Sequence, residues 1–250
     1  MTKILITRPI DQAQDFAARI LERLAQVSAD DVVLEPLLHI EHNDVGLKDA
    51  DHYDGVIVTS ANALPTLLKN RAFLDKPFYC VGEKTAEKLQ KAGAANISLC
   101  ADTAEELIHK IVTGNHAQAH LLYLRGRDIM CDIKQRTQKA GLSIEDVVCY
   151  SATPVDHLSP RCLEMFQRKE TVLLTLFSKR TAEVFVRVLQ NWEKESAENS
   201  VDAAQIHILC ISPPVVEYMH TFFNRDKVIV SARPDRAGML DAVEKYFSEK

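Results

Sequence analysis

Glycine is scarce in this chain, eight residues in 250, and none stands in a G-x-G-x-x-G or G-x-x-x-x-G-K-[ST] pattern. That argues against the two phosphate-cradling loops of the dinucleotide fold and the Walker motif. No G-x-S-x-G elbow seats a hydrolase nucleophile either. The six cysteines (Cys80, Cys100, Cys131, Cys149, Cys162, Cys210) form no C-x-x-C pair. Several lie in apolar runs, where a free thiol behaves as a small hydrophobe, and this reads as a reduced, cytoplasmic protein. No apolar run approaches the ~18–20 residues that span a bilayer. The opening Met1-Thr2-Lys3-Ile4 enters a strand-like segment at once, with no room for a signal peptide. A net charge of −5 gives no electrostatic reason to expect nucleic acid, and it requires contacts to any anion to be gathered locally. His39-x-x-His42 and His116-x-x-x-His120 have ligand-like spacing, but no nearby Cys or carboxylate completes a site. Neither a metal nor a cofactor is implied.

What is present is a recurring unit. Hydrophobic residues make up 46 % of the chain, enough to bury a core in one large domain or two small ones. Short runs of Val, Ile and Leu occur at residues 4–7, 32–38, 55–59, 78–81, 97–99, 120–124, 146–150, 171–177, 206–211 and 227–231. Each precedes a polar–apolar segment of helical period. Continuous apolar strands between helices predict parallel sheets covered on both faces. Ten strands exceed one small doubly wound sheet, so two sheets of five are expected. Thr103-x-x-Glu106 has the form of a capping box. Lys91-Ala92-Gly93 and Lys139-Ala140-Gly141 place glycine where a helix stops, and Pro234 sits where a first helical turn is expected. Residues 192–205 read as a helix end and an exposed loop.

The chain also repeats itself. The segment from Gly55 through Ser60 matches that from Leu173 through Ser178, residues 78–82 match residues 208–212, and residues 97–101 match 228–232. The strand at 120–124 with Arg125 resembles residues 3–7 with Arg8. That last pair is out of order, since its Arg-bearing strand comes last in one half and first in the other. An interrupted domain accounts for this. The predicted fold is α/β, two similar doubly wound parallel-sheet lobes of flavodoxin-like type. The first lobe is discontinuous, 1–36 plus 156–250; the second, 41–149, is inserted; 37–40 and 150–155 form a two-stranded β-ladder between them. Pro36 and Pro154 mark the crossings.

In open parallel sheets ligands bind beyond the carboxyl ends of the strands. Those ends carry Thr7-Arg8-Pro9, Thr59-Ser60-Ala61-Asn62, Gly82-Glu83-Lys84-Thr85, Arg125-Gly126-Arg127, Ser178-Lys179-Arg180 and Arg233. Each leads into a helix, whose first N–H groups favour anions. With two facing lobes these ends would line one cleft for an extended polyanion. Plain alternatives stand beside each candidate: Ser60 and Ser178 as helix N-caps, the arginines as surface ion pairs, Tyr150 as a half-buried strand aromatic.

Six of these motifs, in order, resemble the uroporphyrinogen-III synthase family. They are Ile4-Leu-Ile-Thr-Arg8-Pro9, Leu34-Glu-Pro-Leu-Leu-His-Ile40, Val56-Ile-Val-Thr-Ser60-Ala-Asn62-Ala, Phe78-Tyr-Cys-Val-Gly82-Glu-Lys-Thr85-Ala86, Leu122-Tyr-Leu-Arg125-Gly126 and Val148-Cys-Tyr150-Ser-Ala. One departure concerns a second Gly-x-x-Thr-like turn of that family, which here reads Ser212-Pro213-Pro214-Val215. Proline brings neither hydroxyl nor N–H, so the burden there falls on Ser212.

The resemblance implies a cofactor-free lyase acting on hydroxymethylbilane, a linear tetrapyrrole carrying carboxylates on every ring. Loss of its terminal hydroxyl gives an azafulvene; attack by the last ring forms a spiro intermediate, which recloses with ring D inverted. The protein then supplies mainly orientation and water exclusion. On this reading Tyr150 assists departure of the hydroxyl. Substrate contacts fall to Arg8, Ser60, Asn62, Gly82, Lys84, Thr85, Arg125, Gly126, Arg127, Ser178, Lys179, Arg180 and Ser212. Expected partners are the substrate and, transiently, the preceding pathway enzyme, with no membrane or nucleic acid and a monomeric state. The rivals are a non-catalytic two-lobed binding protein for an anionic metabolite and a nucleotide-sugar transferase, for which the chain is short.

Overall fold

A computed structural model describes residues 2–114, 119–129, 131–138, 140–196 and 199–249. His116 and Lys139, which belong to two of the motifs above, lie outside the described residues, as do 197–198 within the expected loop. The strands in chain order are β1 (Lys3–Ile6), β2 (Val32–Leu34), β3 (Leu38–His42), β4 (Gly55–Val58), β5 (Pro77–Val81), β6 (Asn96–Ala101), β7 (His120–Gly126), β8 (Ser143–Pro154), β9 (Val172–Leu176), β10 (Ile206–Cys210) and β11 (Val228–Val230). The α-helices are α1 (Ile10–Arg23), α2 (Leu64–Lys69), α3 (Glu83–Lys91), α4 (Ala104–Thr113), α5 (Ile133–Gln138), α6 (Pro160–Gln167), α7 (Lys179–Glu195), α8 (Pro213–Met219) and α9 (Arg236–Ser248). The chain divides into two compact units: Met1–His39 with Thr153–Lys250, and Ile40–Ala152.

The sheet of the first unit runs β11-β10-β9-β1-β2, with every neighbouring pair parallel. Parallel strands under helices on both faces must be apolar throughout, and β9 is buried at all five positions. The pleat sends alternate residues to opposite faces. Leu5 therefore joins a core with Phe185 and Trp192 of α7, while Ile4 and Ile6 join one with Phe16 of α1 and Val243 of α9.

The second unit holds a sheet of order β3-β8-β7-β4-β5-β6. Its strands 6-5-4-7-8 repeat the spatial order 11-10-9-1-2 with the chain cut at a different place. Register agrees as well: Ile4 pairs with Leu173 and Leu121 with Gly55, and these are the same positions that the internal repeat aligns. The out-of-order Arg-bearing strand is thus a permutation of one architecture. The flavodoxin-like strand order 2-1-3-4-5 is present outright in the first unit.

Local signals behaved unevenly. Thr103 Oγ1 accepts the Glu106 N–H at 3.1 Å, whereas the Glu106 carboxylate reaches the N–H of Asp102 at 2.8 Å. Gly93 takes φ +101° just past α3, where other residues are strained. Pro234 is not in a first helical turn: α9 starts at Arg236, capped by Asp235 accepting the Gly238 N–H at 2.7 Å. The run 32–38 is two strands, not one, because Pro36 has no N–H to continue a ladder. An eleventh strand, β3, results. Hydrogen bonds from Asn43 N–H to the Cys149 carbonyl (2.9 Å) and from Val155 N–H to that of Leu37 (3.1 Å) set β3 antiparallel to β8. That pairing is the two-stranded ladder.

Candidate functional site

Each sheet reverses its winding direction once, between β1 and β9 in the first unit and between β7 and β4 in the second. Crevices open at such points beyond the carboxyl ends of the strands.

In the second unit β7 ends at Gly126, which pairs with Tyr150 across a register shift after Arg125. A Cβ at residue 126 would meet the Tyr150 ring at 2.7 Å, so only glycine lets that ring lie over the strand end. The Tyr150 hydroxyl lies 3.0 Å from where that Cβ would stand, and the Ser60 side chain and the Gly126 backbone are polar groups that act on it. Burial pushes its pKa up and the nearby Ser60 and Gly126 only partly oppose that, so the phenol stays protonated at neutral pH and remains an O–H donor. The Tyr150 carbonyl accepts the Arg127 N–H at 2.9 Å, which fixes the turn, and the Arg127 side chain is exposed. Ser60 also accepts the Asn62 N–H at 3.3 Å as cap of a short 3-10 turn (Ala61–Ala63). Beneath them, Thr59 Oγ1 and the Tyr123 hydroxyl are 3.3 Å apart. On the neighbouring strand Gly82 takes φ +82° as the N-cap of α3. It offers no side-chain cap, which leaves the first N–H groups of α3 for a ligand anion. Thr85 is buried in the first turn and Lys84 is exposed.

Arg125 is differently placed. Its guanidinium grips Asp146 on β8 at 2.7 and 2.8 Å, and Lys134 reaches the other oxygen of the same carboxylate at 2.6 Å. Burial pushes the Asp146 pKa up, but the hydrogen bonds from Lys134 and Arg125 outweigh it and hold the carboxyl below its usual value. Arg125 is therefore engaged within the protein, although one carboxylate shared with Lys134 does not cancel both positive charges.

In the first unit, Arg8 follows β1 and lies over the Phe177 ring, 4.3 Å from its centroid. Its guanidinium donates to Gln12 Oε1 at 2.6 and 3.0 Å. Burial, aided by nearby Arg236, lowers its pKa, which Asp15 opposes. Gln12 is neutral, so the positive charge survives the hydrogen bond. Ser178 caps α7, accepting the Thr181 N–H at 3.1 Å. Lys179 sits 3.9 Å from Glu183 and 6.0 Å from the Tyr218 ring centroid, and Arg180 adjoins it at intermediate burial. Ser212 caps α8 without a side-chain hydrogen bond to the helix; Pro213 and Pro214 have no N–H, and the Val215 N–H donates to the Ser212 carbonyl at 3.1 Å.

Ser60, Asn62, Gly126 and Tyr150 thus come together in one unit, and Arg8 and Ser178 stand at the matching end of the other. Sequence reasoning missed Phe177, Gln12 and Asp146, the partners that decide whether an arginine keeps its charge. Only Phe177 was visible in advance, as the last residue of an apolar run beside Ser178. His39 and His42, three apart on β3, fall on opposite faces and cannot share an ion.

Known proteins agree on a single family. The family described as Uroporphyrinogen-III synthase HemD matches residues 19–241. No curated protein matches. The structure of uroporphyrinogen-III synthetase from Helicobacter pylori 26695 is similar at a TM-score of 0.64 and 16 % identity, covering 98 % of this chain and 100 % of that one. A mutant uroporphyrinogen III synthase from the extremely thermophilic bacterium Thermus thermophilus has 13 % identity and a TM-score of 0.49, with 100 % of both chains covered. At 16 % identity, the first of these speaks to the fold alone.

Proposed function

The chain belongs to the uroporphyrinogen-III synthase family, and from that premise we propose how its residues divide the work on hydroxymethylbilane. The reaction closes the linear tetrapyrrole to uroporphyrinogen III with loss of water and inversion of ring D, a step of tetrapyrrole biosynthesis. Tyr150 is the catalytic residue of this reading. Its protonated phenol, oriented by Ser60 and given room by Gly126, donates toward the departing hydroxyl, directly or through a water. The exposed helix start after Gly82 and the hydroxyls of Ser60, Thr85, Ser178 and Ser212 receive carboxylates. Asn62, Lys84, Arg127, Lys179 and Arg180 extend that polar rim. Arg8 supplies the fixed positive charge; Arg125, paired with Asp146, shapes the strand end that carries Gly126. Because the substrate supplies its own electrophile, holding it in one folded conformation is most of the catalysis.

The observation that carries this reading is the close approach of the Tyr150 ring and hydroxyl to Gly126 at the reversal point of a sheet. The test is an isomer assay: freshly made hydroxymethylbilane is turned over, the product oxidised, and the porphyrin isomers separated. Wild type gives isomer III. Tyr150→Phe is expected to lower turnover about 10²-fold, the lower end of general acid catalysis, with isomer I from spontaneous closure rising in its place. Full turnover and an unchanged isomer ratio in that variant would remove Tyr150 from the mechanism.

Among the described residues no helix is long and apolar enough to cross a membrane. The proposal includes a cytoplasmic monomer that meets the preceding enzyme only in transit.

A further inference from the structure

A second cluster of reactive side chains stands at the other end of the second sheet, where its strands begin. His120 opens β7, Glu145 lies near the start of β8, and His52 closes a 3-10 turn (Ala50–His52) ahead of β4. One ligand atom from each lies within 4.8 Å of the other two.

His120 is held in place from several sides. Its backbone N–H donates to the Asp54 carboxylate and its carbonyl accepts the Asp54 N–H, both at 2.8 Å. The Tyr53 ring stacks on it at 5.2 Å and 8°, and the His52 ring meets it edge-on at 5.0 Å. Nδ1 is 2.6 Å from Ser143 Oγ. Nε2 is buried without a hydrogen-bond partner, 4.0 Å from Glu145 Oε2.

A buried ring nitrogen with no partner needs an explanation. If Nδ1–H donates to Ser143, Nε2 presents a lone pair toward a carboxylate and a second imidazole. That is the tautomer a metal requires, with the outer-shell bond that fixes it already made. Two imidazoles and a carboxylate make a zinc-type donor set. Tetrahedral bonds of ~2.0–2.2 Å put ligand atoms about 3.4 Å apart, so the exposed His52 and the Glu145 side chain need to close by roughly an ångström. Lys48 competes, with its ammonium 2.7 Å from Glu145 Oε2, but its side chain is 56 % exposed and free to swing away.

We propose that His52, His120 and Glu145 bind one divalent ion of the zinc class, with water as fourth ligand. The ion clamps the turn before β4 to the starts of β7 and β8. This is independent of the reading of the strand carboxyl ends, and catalysis does not pass through it.

The test uses the full-length reduced chain, stripped with a chelator and titrated with Zn²⁺ against a chromophoric competitor. Expected are one tight equivalent and a raised Tm. His52→Ala and His120→Ala each weaken binding by at least about 100-fold, and Ser143→Ala by about tenfold, in line with outer-shell losses. Lys48→Met should tighten binding. Co²⁺ should show ligand-field bands without thiolate charge transfer. The exposed His52 makes its alanine variant the safest for folding, and circular dichroism verifies it. Unchanged affinity in folded His52→Ala would overturn the site, as would the absence of tight binding. A thiolate band abolished by Cys100→Ser would instead assign the ion to Cys80 and Cys100, which pair across β5 and β6.

Discussion

Arg8 and Arg125 occupy corresponding places, one residue or two beyond the apolar stretch of β1 and within the end of β7, yet their surroundings oppose each other. Arg8 rests on an aromatic ring and a neutral amide, and so presents a net charge. Arg125 is locked to Asp146, which Lys134 shares, and so its guanidinium is already engaged. The residues that follow differ in the same sense. Pro9 leads into α1 with a fixed φ, while Gly126 opens space for a phenol. One permuted architecture thus offers, among the described residues, an unpaired guanidinium at one reversal point and, at the other, an engaged one beside a protonated phenol.

The comparison breaks first at Gly126. Gly126→Ala drives a methyl into the Tyr150 ring, and is expected to cost about 1–3 kcal/mol in stability. Displacing the phenol by about 1 Å should lower turnover on the order of 10²-fold. Turnover and Tm measured together separate the two effects. Next comes the pair of arginines. Arg125→Ala leaves Asp146 to Lys134 alone; with side chains 19 % and 18 % exposed, the loss falls between surface and buried pairs, about 1–3 kcal/mol by denaturant unfolding. Arg8→Met should change stability by about 1–2 kcal/mol, the scale of a partly desolvated cation–π contact. It should raise KM about tenfold at constant kcat, as loss of one charged hydrogen bond predicts. Equal behaviour of the two variants would erase the distinction.

The smallest effect is in pH. Asp146 has a depressed pKa, so its contribution is present above its usual value of 3.8 and is lost as pH falls through the lower folded value. Glu35, buried just after β2, is the reverse. Burial pushes its carboxyl up, against hydrogen bonds from Ser159, so its contribution is full below the usual 4.5 and fades as pH rises through the raised folded value. Asp146→Asn should therefore flatten the acid limb of a Tm–pH curve, and Glu35→Gln should raise Tm chiefly above that region.

Strand positions were legible because a strand covered on both faces must be apolar throughout, and β4, β9 and β10 read so directly. The register of the two units was legible too, through the match of Gly55 with Leu173. The break inside 32–38 was visible as Pro36, and with it the ladder of 37–40 with 150–155; that this strand also edges the second sheet beyond β8 was not, because it depends on β8 running unbroken from Ser143 to Pro154. Pro234 misled because proline before a cap and proline inside the first turn look alike until Asp235 takes the cap. Site residues were legible as types at strand ends. Pairing was not: whether Arg125 meets substrate or Asp146 depends on how β7 registers against β8. Likewise His120 finds His52 and Glu145 as neighbours through strand order rather than through spacing.

The permutation also has a consequence in time. Thr7 Oγ1 donates to the Thr175 carbonyl, a bond across 168 residues, whereas the second unit is one continuous stretch, Ile40–Ala152. During synthesis that stretch is complete before β9 exists, and domains fold as units while the chain emerges. The early segment with β1, α1 and β2 must wait, holding Ile4, Leu5, Ile6, Phe16 and Ile20, all fully buried later, without the strand that covers them. Long-range closure is slow, so this segment, made first and finished last, is where a nascent chain is most exposed to aggregation and most in need of a chaperone.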